Sequence, residues 1–168
     1  MAREKANAVI GQSGGPTAVI NQSLVGVVET LRGQKDVDGI LGAHHGVRGV
    51  LNEDFIDLTR TPKSLLDRIA ETPAAALGSS RDKPDEDYCR RLFEVFERRQ
   101  VRYFFYIGGN DSADTARIVN DMAQQADHEL RTFHIPKTID NDLRVTDHCP
   151  GYGSAARFVA AAFLGDDR

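Results

Sequence analysis

Three charged side chains in the segment PKTIDND, namely Lys137, Asp140 and Asp142, are candidates for catalysis because they follow a predicted strand over 131–135. A lysine can neutralise a phosphate group, whereas a carboxylate can accept a proton or hold a divalent metal ion. A structural turn tolerates Asp and Asn but has no need of a lysine and a threonine beside them. We therefore interpret this cluster, together with Thr138, as functional.

The stretch YFFYIGGNDS is a second candidate, because a predicted strand breaks there at two glycines. The apolar run 103–107 predicts a strand buried on both faces, and the apolar spacing after it predicts a helix over 112–124. Gly108 and Gly109 would let backbone N–H groups approach an anion at the positive end of this helix. A phosphate-binding turn and a plain strand-turn-helix corner are both compatible with this stretch alone.

The segment GQSGGPTAVINQSL near the amino terminus has the same strand-glycine-helix order. A strand is predicted over 6–10, and a helix with Pro16 in its first turn is predicted to end at Gly33. Free N–H groups at a helix start favour a phosphate, so Gly14 and Gly15 are candidates for an anion site, with a tight turn as the alternative. The spacing matches neither GxxxxGK[ST] nor GxGxxG, which disfavours P-loop and dehydrogenase-type nucleotide folds.

Two polar segments between these motifs are ambiguous on residue types alone. In LGSSRDKPDED, Arg81 and Lys83 could reach a phosphate, but a solvated loop before a helix over 85–99 is the favoured interpretation. His44 and His45 follow a predicted strand over 37–43, and adjacent residues of a strand point to opposite faces. We therefore expect these histidines to lie in a polar loop rather than to share a metal ion.

Strands and helices alternate along the chain, which predicts a parallel α/β sheet. After His45 we expect a loop, then a possible short strand over 55–58, then a helix over 61–69 with Thr61 as its cap and Pro62 in its first position. An alanine-rich helix over 154–164 follows PKTIDND. The length of 168 residues predicts one domain.

The composition, 40% hydrophobic and 27% charged, is typical of a globular protein, and no apolar run approaches the roughly 20 residues of a membrane span. The amino terminus lacks the apolar core of a secretion signal. A net charge of −4 argues against a nucleic-acid partner. Two cysteines, Cys89 and Cys149, suit a reducing compartment as unpaired thiols, so we expect a cytoplasmic protein. Because no apolar run is long enough to span a membrane, we expect no membrane partner.

The motifs GQSGGPTAVIN, LGSSR, IGGNDS, PKTIDND and TDHCPGYGSAARFVA follow one another across essentially the whole chain. In this order they resemble the phosphofructokinase family, and more closely its pyrophosphate-dependent branch than its ATP-dependent branch. The resemblance implies a doubly wound, mostly parallel α/β fold of the Rossmann-like, three-layer kind. It also implies transfer of a phosphoryl group, with Mg²⁺, to the 1-hydroxyl of fructose 6-phosphate, giving fructose 1,6-bisphosphate in glycolysis.

The same resemblance implies roles for the candidate residues. Asp140 would be the general base that takes the proton of the sugar hydroxyl, in a catalytic set with Thr138 and Lys137. Thr138, Asp140 and Asp142 would contact the sugar. The residues expected to bind the donor are Gly14, Gly15, Arg81, Gly109, Asp111 and Ser112. The expected metal ligands are Asn110 and Asp111, although Asn110 stands where the family commonly has an aspartate and brings no charge.

The phosphoryl donor is predicted from Asp111 and Lys137. ATP-dependent relatives have GGDGS and PGTIDND where this chain has GGNDS and PKTIDND. An aspartate where the α-phosphate of a nucleotide must pass adds bulk and like charge, whereas a nearby lysine can neutralise compact pyrophosphate. Pyrophosphate is therefore the expected donor, and ATP is the alternative.

Members of the family are longer and have an MGR motif and basic residues for the sugar 6-phosphate that this chain does not contain. We therefore expect residues 1–168 to form a single donor-binding and catalytic domain, the amino-terminal portion of a homo-oligomeric enzyme. Because phosphoryl transfer depends on positioning, this portion alone should be weakly active or inactive. The alternative from another class is a non-catalytic module that binds phosphates or another subunit.

Overall fold

The computed structural model describes residues 5–166. The strands in this part are β1 (Ala6–Gln12), β2 (Val37–Ala43), β3 (Phe55–Asp57), β4 (Val101–Gly108) and β5 (Arg131–Pro136). The helices are α1 (Ala18–Leu31), α2 (Val47–Leu51), α3 (Lys63–Glu71), α4 (Glu86–Arg98), α5 (Asn110–Gln125) and α6 (Tyr152–Asp166). None of these helices is long and apolar enough to cross a membrane.

The five described strands form one sheet in the order β3-β2-β1-β4-β5. β1 lies at the centre and pairs in parallel with β2 on one side and with β4 on the other, and β4 pairs in parallel with β5. The edge strand β3 runs antiparallel along β2. The alternation of strands and helices therefore predicted the sheet correctly, because parallel neighbours need a crossover segment between them.

Helices cover both faces of the sheet, because successive residues of its central strands are apolar on both sides. Val9 of β1 packs in one cluster with Leu92 of α4 and Val119 of α5. Its neighbour Ile10 packs in a second cluster with Leu24 of α1 and Leu66 of α3. The resulting helix-sheet-helix arrangement confirms the doubly wound, three-layer α/β fold.

The predicted strand over 103–107 lies within β4 and is buried on both faces. Phe104 and Tyr106 are fully buried in the cluster that contains Val9, whereas Ile107 is fully buried in the cluster that contains Ile10. The carboxyl end of β4 lies beside that of β1, which places the two glycine-rich turns next to each other.

The segment between β2 and β3, predicted as a loop, contains the short helix α2. That prediction was wrong because five residues are too few to show a helical period. Burial decides the conformation instead, since Val47 and Val50 are fully buried in the core beneath α4.

Five predicted helix starts are shifted by one or two residues. Two of them are α4, which begins at Glu86 instead of at 85, and α6, which begins at Tyr152 instead of at 154. α1 begins directly after the extended residue Thr17, so Pro16 lies in the preceding loop. α3 begins directly after Pro62, which occupies the N-cap position predicted for Thr61. α5 begins at Asn110, two residues before the predicted start. The fixed φ of a proline suits the residues before a helix as well as its first turn, so it does not define the boundary.

Candidate active site

A cleft of about 430 Å³ lies beyond the carboxyl ends of β1, β4 and β5. The chain leaves β1 through α1 towards β2 on one side, and it leaves β4 through α5 towards β5 on the other side. In an open α/β sheet, such a reversal of strand order opens a crevice in which ligands bind. The topology therefore makes this cleft the expected active site.

Every residue to which the family resemblance assigned a role lines this cleft, whereas Gly108 lies in the turn beside it. The residues are Gly14, Gly15, Arg81, Gly109, Asn110, Asp111, Ser112, Lys137, Thr138, Asp140 and Asp142. They come from four separate segments of the chain, and three of these segments directly follow β1, β4 and β5. They meet because parallel neighbouring strands end at the same edge of the sheet.

The loop after β1 is held against the end of β4 and against the segment around Ser80. The N–H of Ser13 donates to Ile107 O at 2.8 Å, and the Ser13 hydroxyl donates to Ser80 O at 2.9 Å. Gly14 has a φ of +74°, a left-handed conformation that residues with a Cβ rarely adopt. α1 then begins without a side-chain cap, so its first N–H groups are suited to an anion.

The turn after β4 brings a second helix start to the cleft. Gly108 has no room for a side chain, because a Cβ would overlap Ser112 Oγ and lie 2.9 Å from Ser13 O. α5 begins at Asn110, and Gly109 before it supplies no side-chain cap. Two uncapped helix starts therefore lie at one cleft, and their partial positive charges favour a ligand that carries phosphate.

Lys137 is a buried cation at the floor of this cleft, where the residue is only 4% exposed. Its ammonium group donates to Gly15 O, and its backbone N–H donates to Gly108 O at 2.9 Å. Burial lowers the pKa of Lys137, the carboxylate of Asp140 opposes this shift, and Arg81 adds to it. Because the ammonium group is poorly hydrated, its attraction to an anion is stronger than that of a solvent-exposed lysine.

Hydrogen bonds fix the turn that carries Asp140. Thr138 Oγ1 accepts from the N–H of Asp140 at 3.1 Å and donates to Asp142 Oδ1 at 3.1 Å. The second carboxylate oxygen of Asp142 accepts from the side-chain amide of Asn110. Asp142 thus links the turn to α5, and both Asp140 and Asp142 are exposed at the cleft.

The segment around Arg81, which we expected to be a solvated loop on residue types alone, lies at the cleft. Both Arg81 and Lys83 line it. Lys83 Nζ is 3.3 Å from Asp111 Oδ1, and both of these side chains are largely exposed. An exposed ion pair of this kind contributes little to stability, so both charges can rearrange around a ligand.

The cleft also contains residues for which the sequence pattern predicted no role. Thr17, the N-cap residue of α1, and Thr115, one turn along α5 from Asp111, are both part of its lining. Asp82 lies there between the two basic residues Arg81 and Lys83. The first two could have been found by extending each glycine turn by one helical turn, but nothing in the residue pattern distinguishes Asp82 from a solvated aspartate.

His44 and His45 do not line the cleft. His44 Nδ1 lies 2.9 Å from Asp54 Oδ1, in the segment between α2 and β3. Within residues 5–166, no group of three or more His, Cys, Asp and Glu side chains is placed to hold a metal ion. A cation at the cleft would therefore need oxygens from its ligand or from water in addition to those of the protein.

The chain is similar in sequence to known proteins of one family. The family model described as Phosphofructokinase matches residues 7–164. The pyrophosphate–fructose 6-phosphate 1-phosphotransferase of Rhodospirillum rubrum is 57% identical over 161 residues, which are 96% of this chain and 40% of that protein. The protein of the same name from Halomonas elongata is 43% identical over 164 residues, which are 94% of this chain and 39% of that protein.

A solved structure has the same arrangement of elements. The crystal structure of pyrophosphate-dependent phosphofructokinase from Nitrosospira multiformis superposes with a TM-score of 0.91 at 41% identity, covering 96% of this chain and 41% of that one. The chain thus spans about 40% of the length of the relatives that it matches.

Proposed function

This chain belongs to the phosphofructokinase family, and we propose that the intact protein transfers a phosphoryl group from pyrophosphate to the 1-hydroxyl of fructose 6-phosphate. The relatives named as phosphotransferases of this kind support the proposal. The structural observation that carries it is the position of Lys137 and Asp140 in one cleft, where a cation for the donor lies beside a candidate base for the acceptor.

Charge neutralisation is the first task in this reaction, because the transferred phosphoryl group and the leaving phosphate are both anionic. Lys137 and Arg81 would supply positive charge at the cleft, and the starts of α1 and α5 would supply backbone N–H groups. Gly14 and Gly15 place no side chain between the donor and these groups. Within the described part of the chain, the cleft is lined by three basic side chains and four carboxylates, and these positive groups are the ones proposed to bind a compact donor such as pyrophosphate.

Asp140 is proposed to act on the acceptor. It takes the proton of the 1-hydroxyl while that oxygen forms a bond to the transferred phosphorus, and the bond from phosphorus to the bridging oxygen breaks. The products are phosphate and fructose 1,6-bisphosphate. Thr138 fixes the turn by accepting the Asp140 N–H, so the base is held in place before substrate binds.

Asn110 and Asp111 are the residues proposed to hold Mg²⁺. They lie in the first turn of α5 at the cleft, and both are exposed there. One carboxylate and one amide oxygen suit an ion that keeps several waters and binds substrate phosphates. When bound, Mg²⁺ would neutralise negative charge on the donor oxygens.

Asp111 is also the residue proposed to exclude ATP. Its carboxylate would lie close to the α-phosphate of a nucleotide, where bulk and like charge are both unfavourable. Pyrophosphate corresponds to the β- and γ-phosphates of ATP and has no α-phosphate, so this repulsion does not arise. Ser112, which is only 2% exposed, and Gly109 would shape the turn that carries Asp111.

The rest of the proposal follows from the family and from the length of the relatives. We propose that this domain supplies the donor site and the base, and that further chain supplies the contacts to the sugar 6-phosphate, since the relatives are longer. The enzyme would then work in glycolysis, in the cytoplasm, as a homo-oligomer.

Steady-state kinetics of the intact protein test this function. With pyrophosphate as donor, Asp140→Asn should lower kcat by about 100-fold or more, because a general base contributes 10²–10⁴-fold. Asp147→Asn is a matched control, since Asp147 is exposed in the same loop outside the cleft, and it should change kcat by no more than about twofold. Full activity in Asp140→Asn would reject Asp140 as the base and favour a non-catalytic module with a contaminating activity.

A further inference from the structure

Asp82 occupies an unusual position, because it lies between the two basic residues of the cleft, Arg81 and Lys83. Its carboxylate is held from outside the cleft by α2. Arg48 of α2 donates to Asp82 Oδ2 through Nε at 3.1 Å and to Oδ1 through a terminal nitrogen at 2.6 Å. This two-point contact fixes the orientation of the carboxylate as well as its distance.

A second helix holds the same carboxylate. The hydroxyl of Tyr88 on α4 donates to Asp82 Oδ2 at 3.1 Å. Neither Arg48 nor Tyr88 lines the cleft. Their contacts with Asp82 therefore connect α2 and α4 to residues 80–83, the cleft segment, and neither Arg48 nor Tyr88 enters the space that a ligand would occupy.

The segment is also fixed on the residue before Arg81. The hydroxyl of Ser80 accepts from the N–H of Asp82 at 3.0 Å, and the carbonyl of Ser80 accepts from the hydroxyl of Ser13 at 2.9 Å. Arg81 thus has a fixed residue on each side. Its backbone is restrained by the glycine loop at Ser80 and by α2 and α4 at Asp82.

The charges of this contact persist at neutral pH. The hydrogen bond from Arg48 lowers the pKa of Asp82, and those from Ser80 and Tyr88 add to this effect. Burial raises the pKa of Tyr88, and the charge of Asp82 raises it further, so the phenol keeps the proton that it donates. The carboxylate is therefore ionised and the hydroxyl is protonated over the ordinary working range of an enzyme.

We propose that Arg48 and Tyr88 are positioning residues for the phosphoryl donor: by holding Asp82 they keep Arg81 and Lys83 directed to the cleft. This inference rests on the proposed function, because it assigns the held arginine and lysine to pyrophosphate. The physical reason is entropic. Long basic side chains on a loose segment must be ordered when an anion binds, whereas a segment that is already held loses less freedom.

The kinetic consequence is specific to the donor. Arg48→Gln should raise the KM for pyrophosphate by about two- to fivefold, the range expected when a two-point charged contact at a partly exposed site is lost. Tyr88→Phe, which removes one hydroxyl, should have a smaller effect in the same direction. The KM for fructose 6-phosphate and kcat should change little, because the contact with Arg81 is made to the bound donor throughout the reaction.

Arg90→Gln is the matched control. Arg90 lies on α4, as Tyr88 does, and it is exposed, but it contacts Asp87 rather than Asp82. It should leave the KM for pyrophosphate unchanged. A rise in Arg90→Gln as large as that in Arg48→Gln would show that general loss of positive charge, rather than the contact with Asp82, weakens donor binding, and would overturn the proposal.

Two readouts decide whether Arg48 acts through the cleft segment. In the intact protein carrying Arg81→Ala and Lys83→Ala, adding Arg48→Gln should no longer raise the KM for pyrophosphate, since there is nothing left to position. An undiminished rise would contradict the proposal. Amide hydrogen exchange without ligand should be faster at Asp82, whose N–H donates to Ser80 Oγ, in Arg48→Gln than in the unaltered protein or Arg90→Gln.

The exchange experiment also separates this inference from the proposed function. If the intact protein does not use pyrophosphate, the proposed function fails, and the exchange rates alone then decide whether Arg48 holds the segment. Unchanged exchange in Arg48→Gln would overturn the inference even in a protein that uses pyrophosphate efficiently.

Discussion

The side-chain amide of Asn110 donates a hydrogen bond to the carboxylate of Asp142, and this contact joins the start of α5 to the turn that carries Asp140. The same carboxylate accepts the hydroxyl of Thr138, which in turn accepts the N–H of Asp140. An amide is well suited to this position because it donates to an ionised carboxylate without adding charge. The asparagine that departs from the common family pattern thus has a defined partner.

Replacement of Asn110 by aspartate tests this contact. Asn110→Asp would put two carboxylates at hydrogen-bonding distance, and their repulsion would displace the turn and Asp140, the proposed base. We expect kcat with pyrophosphate to fall by about tenfold or more, equivalent to at least about 1.4 kcal/mol. Asn120→Asp makes the same chemical change on α5 outside the cleft and should retain activity. Normal kcat in Asn110→Asp would show that the contact does not position Asp140 for the reaction.

Removal of the buried charge of Lys137 should weaken donor binding without lowering the stability of the fold. Lys137→Met keeps a similar volume, and replacing a buried charge by an apolar group is often neutral or stabilising. We therefore expect an unchanged or higher Tm, together with a KM for pyrophosphate raised by about tenfold or more. Lys63→Met, at an exposed lysine of α3, is the control and should leave this KM unchanged. A clear loss of Tm in Lys137→Met with an unchanged KM would assign the lysine to the fold instead.

The pH dependence of donor binding follows from the same lysine. Burial lowers its pKa below the ordinary value of 10.5, so its charge is lost at a lower pH than that of an exposed lysine. The KM for pyrophosphate should therefore rise as pH increases through this lowered pKa. Stability should rise over the same pH range, because the unfolded chain binds more protons than the folded chain between the lowered pKa and 10.5, so unfolding becomes less favourable as pH rises there. Both trends should be absent in Lys137→Met.

The close approach of the two glycine turns predicts that alanine changes the free energy of unfolding differently at Gly108 and at Gly26. A Cβ at Gly108 would overlap Ser112 Oγ, whereas a Cβ at Gly26 of α1 would meet open space. Gly108→Ala should lower the free energy of unfolding by about 1–3 kcal/mol. Gly26→Ala should raise it by about 0.5–1 kcal/mol, as expected for alanine in a helix. Urea unfolding measures both, and equal stability in the two variants would mean that the turns are not closely packed.

The sequence predicted most of what depends on local pattern. β4 and its glycine break were identified because a long apolar run ends abruptly, and PKTIDND because lysine, threonine and aspartates rarely occur together in a simple turn. Once both segments were placed on parallel strands, the convergence of Asp111 and Asp140 followed from the geometry of a sheet.

Features that depend on distant contacts were not predictable. α2 is defined by burial of Val47 and Val50 beneath α4 rather than by its own periodicity. Arg81 was assigned to a solvated loop on residue types alone, because nothing nearby in the sequence reveals that Arg48 would hold its neighbour Asp82. That contact joins residues 34 positions apart, so only the folded chain shows it.

Asp111 is expected to determine which donor is used. Asp111→Ala removes the carboxylate proposed to repel the α-phosphate of ATP, and it should raise kcat/KM for ATP by about tenfold. Asp114→Ala removes a carboxylate one turn further along α5, outside the cleft, and should not change kcat/KM for ATP. If the two variants behave alike, the discrimination between donors resides elsewhere in the protein.

The most direct test of the whole account is the ratio of kcat/KM for pyrophosphate to kcat/KM for ATP, measured on the intact protein with fructose 6-phosphate and Mg²⁺. A cleft that holds Lys137 for a compact anion and presents Asp111 to a nucleotide should favour pyrophosphate by about 100-fold or more. A ratio near or below one would contradict the assignment of pyrophosphate as the donor.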